Sequence, residues 1–204
     1  MDKCYPPVIT HMGMMTGGIF MQRKIDVLEI FNGNKVVFIH DVIFKKKEYV
    51  KWNDVKEYLK TYVGEIYTVL STQEDICIGV DFPGEFTGSA YTYALKGANV
   101  KAKANSVQGI PEMIEIAVGG NYRENSNKKH KRNAKYGWYS YATYFAIPTY
   151  DNDGEINHYN VFHASLLIRH AENGKKYLYD IIDIKKETSY PIEQYAVHDK
   201  KPIS

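Results

Sequence analysis

Three side chains in the C-terminal part of the chain could act together on a phosphate ester: His163, Arg169 and Tyr144. A guanidinium holds phosphate oxygens through charge-assisted hydrogen bonds, and an imidazole exchanges protons near neutral pH. The imidazole would accept the proton of a ribose 2′-hydroxyl or protonate the leaving oxygen while the guanidinium holds the phosphate. This scheme needs no metal ion and no cofactor. The residue types therefore suggest metal-independent RNA cleavage as a first hypothesis.

The pairing of the last two strands decides whether these groups share a face, because side chains alternate along a strand. Asn173 and Gly174 predict a two-residue hairpin turn between those strands. In that register His163, Arg169 and Asp180 lie on one open face, where Arg169 and Asp180 are close enough for an ion pair. The alternative interpretation is a surface Arg–Asp pair beside an incidental histidine.

A symmetrical turn at 151–154 adds Tyr144 and Ser140 to the same open face. The opposite face is predicted to be the core face, covered by helices from 95–118. It would collect Phe162, Ala164, Leu166, Ile168, Tyr177, Tyr179 and Ile181.

A basic segment precedes these strands. Five cations and His130 fall within eight residues and are followed by aromatic residues; the cations are Lys128, Lys129, Lys131, Arg132 and Lys135. Residues 95–136 carry nine basic and three acidic side chains, although the whole chain has a formal charge of only +2. Such a segment binds phosphate backbones favourably because counterions are released, and neighbouring aromatic rings can stack on bases. A solvated surface loop is the alternative. His130 is a second catalytic candidate with Lys135 as a phosphate clamp, unless both are passive cations.

Composition and missing motifs exclude several classes of protein. The chain has 204 residues, of which 44% are hydrophobic and 25% charged, as in ordinary globular proteins. Its two cysteines, Cys4 and Cys77, lack the spacing of a zinc site or disulfide framework, so a reducing cytoplasm is expected. No apolar run could span a bilayer, and no membrane partner is expected. H-E-x-x-H, P-loop, G-x-S-x-G and G-x-G-x-x-G motifs are missing, which disfavours the corresponding proteases, NTPases and dinucleotide enzymes.

The periodic segments predict an α+β fold in which a C-terminal three-stranded antiparallel meander packs on helices. An N-terminal hairpin, helix and strand subregion would occupy 21–85, and the helices plus sheet 86–190. A flexible arm over 1–20 and a tail over 191–204 would flank them. The strands of the meander are expected at 138–148, 158–170 and 176–184, and the stretch 81–91 as a loop because Pro and Gly interrupt it.

Three stretches carry a resemblance: DFPGEFTGSAYTYALKGANVKAKAN, KKHKRNAKYGWYSYATYFAIP and YNVFHASLLIRHAENGKKYLYDIIDIKKET. Over roughly residues 25–190 the chain resembles small domains of phage polyvalent proteins, some of which are assigned to the barnase/EndoU/colicin/RelE-like nuclease superfamily. The resemblance implies helices followed by a four-stranded antiparallel sheet, with metal-independent ribonuclease activity in its active members. It would place the site at His130, Lys135, Tyr144, His163 and Arg169.

Two functions follow as competing predictions. The first is a ribonuclease of a bacterium, phage or mobile element that cleaves RNA by 2′-hydroxyl attack. The second is a non-catalytic module, such as a phage-encoded inhibitor or accessory protein, that binds nucleic acid or a protein through the basic segment and its tyrosines. The oligomeric state and the identity of the substrate stay open.

Overall fold

A computed structural model describes residues 23–30, 33–45, 50–126 and 133–192. The strands in these ranges are β1 (Ile25–Glu29), β2 (Lys35–Ile39), β3 (Ile66–Val69), β4 (Glu74–Cys77), β5 (Val118–Arg123), β6 (Trp138–Tyr150), β7 (Ile156–His170) and β8 (Lys176–Pro191). The α-helices are α1 (Trp52–Leu59), α2 (Phe82–Gly88), α3 (Ala90–Ala94), α4 (Ala98–Ser106) and α5 (Ile110–Glu115). The expected arm over 1–20 and all but the first two residues of the expected tail lie outside the described residues.

All eight strands join one mixed sheet in the order β1-β2-β6-β7-β8-β4-β3, and β5 pairs with β6 beside this path. The hairpin β1–β2 and the neighbours β6, β7 and β8 are antiparallel, whereas β2 pairs with β6 and β4 with β8 in parallel. The sheet curls into a half-open barrel.

The predicted fold class is therefore wrong. Strands make up 43% and helices 27% of the described residues, and the sheet is neither three-stranded nor purely antiparallel. Hairpins carry a local turn signal in the sequence, whereas a parallel pairing closes a long connection and has no such signal. The N-terminal strands consequently extend both sides of the C-terminal meander, and residues of 21–85 and 86–190 share one hydrophobic core.

The helices pack on one face of the sheet, which we call the helix face. Its core includes Val37 of β2, Phe82 of α2, Ile110 of α5 and Ile168 of β7, each at most 2% exposed. The predicted loop over 81–91 is helical instead. Phe82 and Phe86 stand four residues apart, so one helical turn buries both rings in this core, which outweighs the interruption by Pro and Gly.

The opposite side of β6 and β7 is the open face. Direct pairing of Trp138 with Arg169 and of Tyr144 with His163 places these four residues on it, because the alternate residue Ile168 belongs to the helix-face core. A smaller hydrophobic cluster covers the far end of the open face. In that cluster the Phe38 ring lies 5.1 Å from Tyr159 and 5.5 Å from Tyr190, measured between ring centroids, and both contacts are edge-to-face.

The predicted register of the last hairpin is wrong near its turn. Arg169 lies opposite Tyr177 instead of Leu178, whereas Leu167 lies opposite Asp180 as that register requires. The register shifts by one residue between Leu167 and Ile168, so Tyr179 is an extra residue in β8. A two-residue type I′ turn needs positive φ at both central residues, but of Asn173 and Gly174 only the glycine has it. The turn is therefore longer.

The shift moves β8 side chains to the other face, as expected when register slips by one residue. Leu178 and Asp180 are buried on the helix face, whereas Tyr179 reaches the open face beside Trp138, at a ring distance of 5.0 Å. The predicted open-face partnership of Arg169 with Asp180 does not form.

Candidate nucleic-acid interface

Tyr144 and His163 are the two predicted catalytic residues that the structure brings together. They pair directly across β6 and β7, and their rings meet edge-to-face at 5.1 Å on the open face. Both side chains are half-buried and accessible to a substrate. Lys185 of β8 lies opposite His163 in the strand pair and is exposed, so a cation is available beside this imidazole.

Arg169 lies elsewhere on the open face. It is six residues from His163 along β7, which corresponds to about 20 Å at the usual rise of a strand. Its Nη2 donates a 2.8 Å hydrogen bond to the Asp81 Oδ1 and lies 2.6 Å from the Oδ2 of the same carboxylate. Its guanidinium lies 4.9 Å from the centroid of the Tyr177 ring. One phosphate cannot contact His163 and Arg169 together in this arrangement.

Asp180 forms a buried ion pair with Lys103 of α4. The Lys103 Nζ and the Asp180 Oδ1 are 2.6 Å apart, and the two side chains are 0% and 2% exposed. The rings of Phe86 and Tyr91 lie 4.5 and 4.9 Å from the ammonium. Burial lowers the pKa of Lys103 and raises the pKa of Asp180, against the opposing effect of each partner's charge. This pair holds β8 against the helices and has no access to a substrate.

An aromatic patch lies where β5, β6 and the end of β7 meet; we define it as Tyr122, Tyr136, Tyr139 and His170. Tyr122 and Tyr139 pair across β5 and β6 with ring centroids 5.4 Å apart. His170 lies 5.0 Å from Tyr136 and 6.0 Å from Tyr139. Tyr122 is 57% and Tyr136 46% exposed, so the patch presents flat rings to solvent.

Cations surround the aromatic patch. The Lys176 ammonium lies 3.7 Å from the centroid of Tyr139 and also donates a hydrogen bond to Glu74. Lys135 bonds to Glu172 at 3.0 Å, and this carboxylate raises the pKa of Lys135. Arg123, the last residue of β5, is exposed at the same strand edge but on the opposite face of the sheet, where it pairs with Trp138. Cations next to stacked rings are the combination that favours bases and phosphates together.

Gly137 holds Tyr122 in place. Its φ is +87°, a conformation that other residues adopt only under strain. A Cβ at this position would lie 2.6 Å from the Tyr122 ring and 2.7 Å from the Arg123 carbonyl oxygen. Only glycine allows the start of β6 to approach β5 this closely.

The predicted basic residues bracket this patch in sequence. Lys128, Lys129, His130, Lys131 and Arg132 lie outside the described residues, but the described flanks lead directly to the patch, because β5 ends three residues before position 126 and β6 begins at 138. Lys135 is described and lies at the patch. The described residues on both sides of the segment therefore lie close to exposed tyrosines.

Sequence reasoning missed several members of this surface, namely Tyr122, His170 and Lys176. Gly119 and Gly120 predict the end of a helix. In the structure α5 ends earlier, at Glu115, and both glycines belong to β5. Both glycines have positive φ, and the β5–β6 register shifts between Gly119 and Asn121. A glycine pair at a bulge, followed by an aromatic residue and a charge run, is the signal that would have indicated this strand.

No protein-family model matches the chain, and comparisons with curated proteins and with solved structures find no match either. The resemblance to nuclease-like phage domains therefore stays a prediction. In the four described ranges, no helix is both long and apolar enough to cross a bilayer. Among the same residues, no group of three or more His, Cys, Asp or Glu side chains is placed to hold a metal ion.

Proposed function

We propose that this protein binds single-stranded nucleic acid through the aromatic patch and the adjoining basic segment. The observation that carries the proposal is the pair of exposed rings, Tyr122 and Tyr136, at the two ends of a segment with four cations and a histidine. Flat exposed rings stack on bases only when those bases are unpaired, whereas the cations contact the backbone of any sequence.

Fluorescence anisotropy with labelled single-stranded and duplex oligonucleotides, at several salt concentrations, tests the proposal. We expect tighter binding to single strands and an affinity that falls with salt. Changing Lys128, Lys129, Lys131 and Arg132 to Gln should reduce the salt slope by about 0.7 for each phosphate that is no longer neutralised. The matched control changes four exposed lysines on the helical part of the chain, Lys51, Lys60, Lys96 and Lys101, to Gln.

Tyr122→Ala should weaken binding to single strands roughly five- to hundredfold, as expected when one base no longer stacks on a ring. Tyr93→Ala is the control, because Tyr93 is 75% exposed on α3, outside the patch. Equal affinity of the two variants, or binding that is indifferent to salt, would contradict the proposal.

A ribonuclease is the second candidate, and the contact of Tyr144 with His163 on the open face is the observation that favours it. His163 would accept the 2′-hydroxyl proton, and Lys185 would replace Arg169 as the phosphate cation. Folded protein should then cleave RNA in the presence of EDTA and leave a 2′,3′-cyclic phosphate, and His163→Ala should abolish the cleavage. If the folded protein binds RNA but leaves a broad panel of RNAs intact, the ribonuclease is rejected and only the non-catalytic function remains.

A further inference from the structure

A second surface feature lies on the open face, behind the aromatic patch. It is a pocket of about 410 Å³ at the start of β6, within the size range of small-molecule sites. Its floor is formed by Trp138, Leu167 and Tyr179, and the chain from Arg123 to Ser126 forms its wall.

The floor suits a flat, uncharged ring. Trp138 and Tyr179 meet edge-to-face with centroids 5.0 Å apart, and Leu167 and Tyr179 are half-buried, so ring and aliphatic surface face the pocket. Tyr179 donates a 2.7 Å hydrogen bond to Glu85, which holds its ring in position. The wall adds the polar side chains of Arg123, Glu124 and Ser126, which can bond the edge of a heteroaromatic ring, whereas Asn125 accepts a 3.4 Å hydrogen bond from the Trp138 indole N–H.

The charges that line the pocket balance. Arg123 and Glu124 both line its wall, Glu85 is held by the Tyr179 hydroxyl, and the nearby cation Arg169 is paired with Asp81. A neutral base therefore fits this environment better than a phosphate group does.

The pocket and the aromatic patch share one strand edge. Among the strands of the described ranges, β5 pairs with β6 alone. Its consecutive residues Tyr122 and Arg123 pair with Tyr139 and Trp138, which lie on opposite faces of the sheet. A nucleic-acid strand that crosses this edge reaches the patch on one side and the pocket on the other.

We propose that the pocket binds a single nucleobase, turned out of the strand that the aromatic patch and the basic segment hold. This inference rests on the proposed function. The pocket then adds base selectivity to a surface that otherwise contacts any sequence, because its polar wall faces the ring edge of the base.

Leu167→Trp fills the pocket, and Leu70→Trp is the matched control at an exposed leucine outside it. Anisotropy with labelled decamers of U and of A should show at least about tenfold weaker binding for L167W and a change within about twofold for L70W. A decamer containing 4-thiouridine should cross-link the wild-type protein at Trp138 or Tyr179, which requires no variant to fold. Wild-type affinity of L167W, with cross-links confined to the aromatic patch, would overturn the inference while the proposed function stands.

Failure of the proposed function gives a different pattern, in which the wild-type protein binds none of the decamers. Calorimetric titration with UMP and AMP then decides on the pocket by itself. Saturable binding that is abolished in L167W and kept in L70W would show a site for free nucleotides, whereas no binding would reject the pocket as a nucleobase site.

Discussion

Replacing Lys103 by Met removes the only cation that contacts the buried Asp180 among the described residues. The methionine side chain keeps the apolar contacts with Phe86 and Tyr91, so the change isolates the charge. What remains is a carboxylate that is 2% exposed and bonded to the Ile181 backbone N–H at 2.8 Å.

The expected loss of stability is large. Removing one partner of a buried ion pair costs about 3–5 kcal/mol, because the other charge stays in a poorly solvating environment. For a domain of this length, that corresponds to a fall in Tm of roughly 6–20 °C. Burial already raises the pKa of Asp180, and the change of Lys103 to Met raises it further. A carboxyl group whose pKa is raised by folding destabilises the folded protein increasingly as the pH rises through its folded-state pKa. The stability defect of K103M should therefore shrink when the pH is lowered from neutral toward the folded-state pKa of Asp180.

Urea unfolding followed by circular dichroism measures this loss. Lys101→Met is the matched control, because Lys101 is exposed two residues earlier on α4, and its effect should stay within about 0.5 kcal/mol. The double variant Lys103→Met with Asp180→Leu should return to within about 1 kcal/mol of the wild-type protein or exceed it, since no charge is left buried. A loss below about 1 kcal/mol for K103M would refute the reasoning.

Two further predictions concern the surroundings of the aromatic patch. Gly137→Ala should destabilise the protein by about 1–3 kcal/mol and weaken binding of single-stranded oligonucleotides, because its Cβ would collide with Tyr122; Gly154→Ala has nearly the same φ, +86°, but open space around it, so it should cost less and leave binding unchanged. Equal effects of the two alanines on binding would count against the close approach of Gly137 and Tyr122. Burial raises the pKa of Glu74, but hydrogen bonds from Lys176 and Tyr141 outweigh it and lower the pKa, so Glu74 contributes stability above its unfolded pKa that is lost as the pH falls. Glu74→Gln should thus destabilise the protein by up to about 1 kcal/mol at pH 7, given that the side chain is 34% exposed, and by progressively less as the pH falls below the unfolded pKa of about 4.3; a defect of unchanged size in acid would show that the charge is not the cause.

Local elements were largely predictable from the sequence. The hairpin β1–β2 and the antiparallel neighbours β6, β7 and β8 follow from Asn-Gly and Asp-Gly turn residues between apolar runs, and their pairing confirms these elements. The basic segment and its neighbouring aromatic residues were also evident. These features depend on residues only a few positions apart, which is the range over which turn chemistry and side-chain alternation act.

The candidate catalytic centre shows the limit of such reasoning. The sequence places Tyr144 and His163 on one face through a symmetrical turn at 151–154. The observed pairing differs from that register by two residues and shifts between Thr149 and Tyr150, but a difference of two residues keeps both side chains on the predicted face. Arg169 and Asp180 are brought together only by a turn that the chain does not adopt. A shift of one residue sends Asp180 to Lys103 and leaves Arg169 with Asp81, a residue 88 positions away in the sequence.

The sequence by itself determined most of the strands, and where the positive charge and the tyrosines are concentrated, but not the helices over 82–94 or the strand β5. Only the tertiary structure decided that β2 and β4 join the same sheet in parallel, that the aromatic patch gathers His170 and Tyr122, and that a pocket forms behind it. The physical reason is the range of the interactions. Turns and periodic burial are encoded by neighbouring residues, whereas parallel pairing, bulges and buried ion pairs are chosen by the packing of the whole core, where many weak contacts are satisfied together.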